Sequence, residues 1–173
     1  NLYDTLIDYD EHGKAMPALA SAWKVAADST SVTLTLRQGV TFQDGSAMDS
    51  AALDATLKKA NDPAKGKNVY PTMAVVKDWT VVDPGTVRIN FKAPVPDRQI
   101  TDLLQFMPVI SAAGVDSVET KPAGTGAFKV VERVLGQKLH LGANPSYWRK
   151  GEPVLKDVVF TVFSDNASAS AAL

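Results

Sequence analysis

The chain has 173 residues, of which 45% are hydrophobic and 21% are charged, with a formal net charge of -1 and no cysteine. This charge balance argues against nucleic acid or an anionic membrane as a partner, and the absence of cysteine excludes disulfides and thiolate sites. The sequence holds no apolar run near the roughly 18 residues of a membrane span. It begins at Asn1 without methionine or a signal-peptide pattern, so we expect a mature or trimmed product.

The first 36 residues predict a short helical turn followed by a hairpin. The turn covers residues 16–20 and ends near Trp23. The hairpin joins strands at 23–25 and 32–36 around a turn at 28–30, because apolar and polar residues alternate in the second strand.

Apolar residues at helical spacing predict a helix from about residue 47 to 60. Ser46 lies three residues before Asp49, close to a capping-box arrangement. The helix should stop before Asp62 and Pro63, since the residue before a proline disfavours helix. A loop covering residues 61–72 is expected to follow.

The middle of the chain predicts a second hairpin and a second helix. Strands at 79–82 and 86–91 flank the turn residues 83–85, and a short helix is expected from about 97 to 105. Residues 112–123 are expected to be irregular.

The last third predicts strands and a final helix. Two strands are expected at 128–134 and 138–142. The apolar run at 158–163 favours a strand buried on both faces. Ser164 and Asp165 could cap a helix at 166–173.

Four segments carry a resemblance to a known family. They are Asn1-Leu2-Tyr3-Asp4-Thr5-Leu6, with Pro17-Ala18-Leu19-Ala20 and Trp23 after it; Leu36-Arg37-Gln38-Gly39-Val40-Thr41-Phe42-Gln43-Asp44-Gly45; Gly124-Thr125-Gly126-Ala127-Phe128; and Asn144-Pro145-Ser146-Tyr147-Trp148. Their order and spacing resemble the bacterial extracellular solute-binding proteins of family 5, which include oligopeptide-, dipeptide- and nickel-binding proteins of ABC importers. Each segment alone is weak evidence, whereas together they cover nearly the whole chain.

The resemblance implies an α/β fragment of the periplasmic-binding-protein-like fold, type II, peptide-binding class. Residues 1–108 would form an α+β extra subdomain of the larger lobe. Residues 109–173 would form part of a mixed-sheet lobe, truncated at its C-terminus. Members of the family are much longer and have two lobes around a cleft. We therefore expect a fragment that, when isolated, self-associates or else exposes an apolar patch where the missing parts would pack.

By the same resemblance, the chain belongs to the substrate-binding component of an ABC importer. The intact protein would capture a peptide or similar small solute in the periplasm or outside the cell, with a lipoprotein anchor as one option, and deliver it to the permease subunits. It would need no cofactor. A sensor or scaffold ectodomain with the same fold is the alternative, and the ligand, including a nickel chelate, stays open.

An enzyme is not expected, because the sequence holds no nucleophile and base pair and no paired carboxylates. The histidines, His12 and His140, are expected in solvent without a metal-ligand partner at helical spacing. The segment 124–126 leads into a strand rather than a helix, so it predicts tight backbone turning and not a nucleotide loop. The large aromatic residues expected as packing anchors are Trp23, Trp79, Tyr147 and Trp148.

Three residues are candidates for ligand binding. Tyr70 lies in a polar loop flanked by proline, where exposed aromatic residues are plausible ligand contacts. Phe106 and Met107 lie at the passage between the two expected parts of the chain. For each of the three, a role in packing is the alternative to a role in binding. No catalytic, cofactor or metal residue is predicted.

Overall fold

The computed structural model describes residues 2–64, 70–163, 165 and 170. In that part of the chain the elements, in order, are β1 (Ile7–Tyr9), β2 (Ala15–Pro17), β3 (Ala20–Val25), β4 (Ser31–Leu36), α1 (Ser50–Asn61), α2 (Tyr70–Met73), β5 (Val76–Asp83), β6 (Thr86–Phe91), α3 (Asp97–Gln105), β7 (Phe128–Val134), β8 (Lys138–Ala143) and β9 (Asp157–Thr161). The fold is α/β, as the sequence predicted, with three antiparallel sheets.

A four-stranded antiparallel sheet forms the centre of the larger part of the molecule. Its order is β3-β4-β6-β5, so the two predicted hairpins lie side by side and β4 pairs with β6. The inward residues of the central strands, among them Leu34 and Ile89, are fully buried. They form one core with the apolar faces of α1 and α3, which explains the alternating pattern in the sequence.

Helix α1 begins later than predicted and has a different cap. Asp49 is the N-cap, and its carboxylate accepts the backbone amides of Ala51 and Ala52. The predicted cap, Ser46, instead donates to Asp44 within a turn. Ala47 is held in an isolated bridge with Thr41, which keeps this stretch extended and moves the helix start to Ser50.

The predicted helical turn at residues 16–20 is wrong. Strand β2 pairs with β1, and β3 begins at Ala20. The backbone amides of Leu19 and Ala20 donate to the carbonyls of Thr5 and Leu6. Backbone pairing with the preceding segment, residues 5–9, therefore overrides the local helical preference.

The third sheet has the order β7-β8-β9. The expectation that residues 158–163 are buried on both faces is wrong for this chain, since β9 is an edge strand whose Val159 and Phe160 are 54% and 49% exposed. Apart from Asp165 and Ser170, the predicted helix at 166–173 and its cap lie outside the described residues.

Most other predicted elements are confirmed, including α3, both hairpins and the strands β7 and β8. The expected loop at 61–72 is wrong at its end, because the short helix α2 begins at Tyr70. Helix α1 ends at Asn61, before Asp62 and Pro63, as the sequence predicted. Within the described ranges, no helix is both long and apolar enough to cross a membrane.

Candidate functional site

Segments that are far apart in the sequence meet at the carboxylate of Asp4. The hydroxyl of Thr125 donates to Asp4 Oδ2 at 2.9 Å, and the indole Nε1 of Trp148 donates to the same oxygen at 2.8 Å. The hydroxyl of Tyr147 donates to Oδ1 at 3.3 Å. We call Asp4, Thr125, Tyr147 and Trp148 the Asp4 junction. It connects the N-terminal segment with both ends of the β7–β8 hairpin.

Close backbone packing completes the contact between the N-terminal segment and residues 124–126. A Cβ at Gly124 would lie 1.8 Å from the carbonyl oxygen of Leu2, so no side chain fits there. The amide of Gly126 donates to that same carbonyl at 3.0 Å. This confirms the prediction of tight backbone turning at this motif.

Two amide side chains fix the same loop from its other sides. Gln43 Nε2 donates to the carbonyl of Phe128 at 2.7 Å, and the backbone amide of Gln43 donates to the carbonyl of Gly124 at 2.9 Å. The side chain of Asn144 is buried and donates to the carbonyl of Gly126 at 2.9 Å. The residues of the second, third and fourth motifs therefore hold one another through backbone carbonyls.

Charged groups surround the aromatic residues of the Asp4 junction. The guanidinium groups of Arg37 and Arg149 lie 4.5 and 4.8 Å from the centroid of the Trp148 ring, and cation–π attraction adds to the packing. Burial, followed by the nearby negative charge of Asp4, raises the pKa of the Tyr147 hydroxyl. Tyr147 is therefore a neutral hydrogen-bond donor at physiological pH. Trp23, Trp79 and Trp148 pack against the core, as predicted for anchors.

The passage from α3 to the rest of the chain runs directly beside this junction. The backbone amide of Val109 donates to the carbonyl of Asp4 at 3.1 Å, and Pro108 forms a bridge with Thr5. On the other side, the amide of Ile110 donates to Thr56 Oγ1 at 2.9 Å. Residues 108–110 are thus fixed from both sides.

The predicted ligand-binding residues have different environments. Phe106 is the C-cap of α3 and is 59% exposed, whereas Met107 is 1% exposed and lies in the core. Tyr70 begins α2, which packs against α3, but its side chain is outside the described part. The structure brings the backbones of these segments together and places Phe106 in solvent.

Helix α3, which carries Phe106, is tied to strand β1 by Tyr9. The hydroxyl of Tyr9 donates to Thr101 at 2.8 Å and lies 3.1 Å from Asp102 Oδ1. The guanidinium of Arg98 lies 4.7 Å from the centroid of the Tyr9 ring and 3.0 Å from Asp102. The start of the passage is therefore anchored independently of Asp4.

Two histidines and the walls of one cavity carry further polar groups within residues 2–64 and 70–163. His12 is exposed beside Glu11, as predicted. His140 is not in free solvent as expected, because its Nε2 lies 2.8 Å from Asp157 on the paired strand β9. The described residues contain no group of three potential metal ligands. A cavity of 570 Å³ beside residues 113–123 includes Gln43 and Asp44 in its walls, both already engaged in hydrogen bonds within the protein.

The arrangement defines the periplasmic-binding-protein-like fold of the peptide-binding class. The structure of AgaA from A. tumefaciens R10, solved with agropinic acid, is similar to this chain at a TM-score of 0.90 and 26% identity. The match covers 99% of this chain and 36% of the AgaA chain. NikA from Brucella suis, solved with Fe(III)-EDTA, matches 99% and 35% at a TM-score of 0.86 and 28% identity.

Sequence comparison gives the family. Residues 14–173 match the family described as bacterial extracellular solute-binding proteins, family 5 Middle, and the chain belongs to this family. The glutathione-binding protein GsiB of Salmonella paratyphi A is 30% identical over 183 residues, which cover all of this chain and 35% of GsiB. The chain thus spans about a third of the length of the curated relatives it matches.

The sequence indicated the motifs but not the residue that joins them. Asp4 and Thr125 lie within the recognised segments, yet nothing in their spacing predicts that they form a hydrogen bond. The available signal for this contact was chemical. One motif contains a short acidic side chain, and two others contain hydroxyl and indole groups that can donate hydrogen bonds to it.

Proposed function

We propose that this chain is part of the substrate-binding component of an ABC importer. The intact protein captures a small peptide-like solute outside the cytoplasmic membrane and delivers it to the permease subunits, without catalysis. The single observation that carries this proposal is the family match over residues 14–173. The Asp4 junction supports it, because it builds the family motifs into one structural unit.

Phe106 is the proposed ligand contact on this chain. Its exposed aromatic ring lies at the end of a helix that Tyr9 holds against β1, so it is presented on a rigid support. For Met107 the alternative role in packing is the one we propose, because its side chain is buried in the core directly after Phe106. Tyr70, at the start of the neighbouring helix α2, is proposed as a second contact.

The first ligand to test is glutathione. Curated relatives at 28–30% identity are named glutathione-binding proteins, and a modified tripeptide agrees with a peptide-binding class of fold. Short unmodified peptides are the second choice, and a nickel chelate is the third.

We propose that the binding cleft needs the rest of a longer protein. Residues 1–108 act as the extra subdomain and residues 109–173 as part of the adjoining lobe, so this chain contributes one wall. A ligand of this size is normally enclosed over most of its surface. The full-length protein would work in the periplasm or at the cell surface, held there by a lipid anchor if it is a lipoprotein.

Calorimetric titration of the full-length parent protein with glutathione and with a set of tripeptides tests this function. We expect micromolar or tighter binding to one of these, together with at least tenfold weaker binding by Phe106→Ala, which corresponds to about 1.4 kcal/mol. Val82→Ala is the control, because Val82 is equally exposed on a distant hairpin. Failure of every peptide to bind, or unchanged affinity in Phe106→Ala, would contradict the proposal.

A further inference from the structure

We propose that Asp4 is a positioning residue for the ligand contact at Phe106. It does not touch the ligand itself. It fixes the course of the chain immediately after Phe106, while α3 holds the amide of Phe106 through the carbonyl of Asp102, and the two together set the direction of the ring. This inference rests on the proposed function of Phe106.

The side chain of Asp4 has a fixed orientation because donors reach both of its oxygens. Thr125 and Trp148 donate to Oδ2, and Tyr147 donates to Oδ1. Hydrogen bonds to an ionised acceptor are about twice as strong as neutral ones. The carboxylate therefore keeps the backbone of residue 4 at a defined position relative to the third sheet.

The backbone of the same residue controls the passage from α3. Its carbonyl accepts the amide of Val109, and the adjacent Thr5 bridges Pro108. Phe106 is thus separated from the bridged Pro108 by one residue, Met107, which is buried. A shift of residue 4 passes through this short link to Phe106.

The other end of the passage does not depend on Asp4. Helix α3 is held by its own Thr101 and Asp102, which contact the hydroxyl of Tyr9 on strand β1. Loosening the Asp4 junction should consequently leave the helix in place and change only its C-terminal exit. The expected effect is a loss of alignment at Phe106 rather than a loss of fold.

Asp4→Asn is the direct test, since it keeps the size and replaces one acceptor oxygen with a donor. The NH₂ group then faces either Tyr147, in the place of Oδ1, or both Thr125 and Trp148, in the place of Oδ2, so at least one donor loses its carboxylate acceptor. In the full-length protein we expect glutathione, or the tripeptide that binds, to bind about tenfold more weakly. Trp148→Phe removes the indole donor and keeps an aromatic ring, so it should also weaken ligand binding. It replaces Asp4→Asn as the test if that variant fails to fold.

The matched control is Asp54→Asn. Asp54 also accepts an indole hydrogen bond, from Trp79 at 2.9 Å, and pairs with Lys58. It lies on α1 and makes no contact with the Asp4 junction in the hydrogen bonds of the described chain. Its variant should lose stability without a change in ligand affinity.

A double-mutant cycle separates positioning from a general structural role. If Asp4 acts through Phe106, then Asp4→Asn should weaken binding little further once Phe106→Ala is present. If the two changes multiply, Asp4 acts elsewhere and the proposal is overturned.

A second readout works even if Phe106 proves not to bind ligand. Fluorine NMR of the protein labelled with 4-fluorophenylalanine gives a signal for Phe106, identified by its loss in Phe106→Leu. Asp4→Asn should shift or broaden that signal, and Asp54→Asn should not. An unmoved signal overturns the positioning role, whereas a shifted signal with unchanged affinity in Phe106→Ala contradicts only the proposed function.

Discussion

The four-stranded and three-stranded sheets are both built from antiparallel hairpins, but they differ in how far this chain covers them. Strands β4 and β6 lie in the middle of their sheet and bury their inward residues under α1 and α3. In the smaller sheet, Phe128 and Leu141 are buried, while the edge strand β9 exposes Val159 and Phe160. The same strand pattern in a sequence can therefore correspond to a finished core or to a surface that still has room for a partner.

Each region also uses an aspartate that accepts an indole hydrogen bond. Asp54 and Trp79 are 25 residues apart and join α1 to β5 within one unit. Asp4 and Trp148 are 144 residues apart and join the chain's first segment to its last third. The first pair stabilises a locally complete unit, and the second holds two parts together.

The largest difference between the regions should appear when apolar side chains are truncated. Leu34→Ala, in the centre of β4 where Leu34 is fully buried, should cost about 2–5 kcal/mol, since it leaves a cavity. Leu135→Ala, in the β7–β8 turn where Leu135 is 78% exposed, should change stability by less than about 0.5 kcal/mol. Urea unfolding followed by circular dichroism measures both, and equal losses would show that the two regions are equally packed.

Gly124→Ala should be the next largest change, because the new methyl group would collide with the backbone oxygen of Leu2. We expect a loss of about 1–3 kcal/mol, typical of overpacking. Gly85→Ala is the control, since its closest neighbour is the end of the flexible Gln38 side chain, 2.8 Å away. Thermal melts compare the two variants, and a Gly124→Ala protein as stable as Gly85→Ala would contradict the close packing of Gly124 against Leu2.

A smaller effect on folding stability is expected when the pH is lowered, and it should arise from Asp54 on α1. Partial burial of Asp54 would raise its pKa, but hydrogen bonds from Lys58 and Trp79 outweigh this and hold the pKa below its usual value. The unfolded chain therefore binds this proton at higher pH than the folded one, so the contribution to stability is present above about pH 4 and is lost as the pH falls further. Asp54→Asn should flatten the acidic limb of stability against pH. An unchanged slope would mean that Asp54 is not a stabilising acceptor.

The smallest effect on folding stability is expected from a substitution on β9, which should reduce self-association of the chain instead. Among the described strands, β9 pairs with β8 alone, and its Val159 and Phe160 are exposed. An edge strand with apolar side chains favours pairing between copies. We expect light scattering to show a mass that rises with concentration, and Phe160→Lys to reduce it with no shift in melting temperature. A wild-type chain that stays monomeric at every concentration tested would show that β9 does not mediate association between copies.

The sequence predicted elements whose signals are local. Helix α3 and the β7–β8 hairpin have clear apolar periodicity, and both occur where expected. Strands β1 and β2 were missed because each has only three residues, too few for an alternating pattern to be recognised. The cap of α1 was misplaced from Asp49 to Ser46 because the extended stretch before the helix depends on the bridge between Thr41 and Ala47.

For the candidate site, the sequence singled out Phe106 through its position between two parts of the chain. Its exposure follows from the end of α3 and could be anticipated from the helix pattern. The burial of Met107 depends on the surrounding three-dimensional packing, which one sequence does not contain. The role of Asp4 depends on partners more than 120 residues away, so no local pattern could predict it.

The long reach of Asp4 also bears on the order in which the molecule can fold. Strands β3 to β6 end at Phe91 and need nothing later in the chain to pair with each other. Two local hairpins can therefore form early and then join through the longer-range pairing of β4 with β6. The segment around Asp4 gains its carboxylate partners only when Thr125 and Trp148 are present, and closing so long a loop costs more conformational entropy than closing a hairpin. We therefore expect the side chain of Asp4 to become fixed later than the strands that follow it in the sequence.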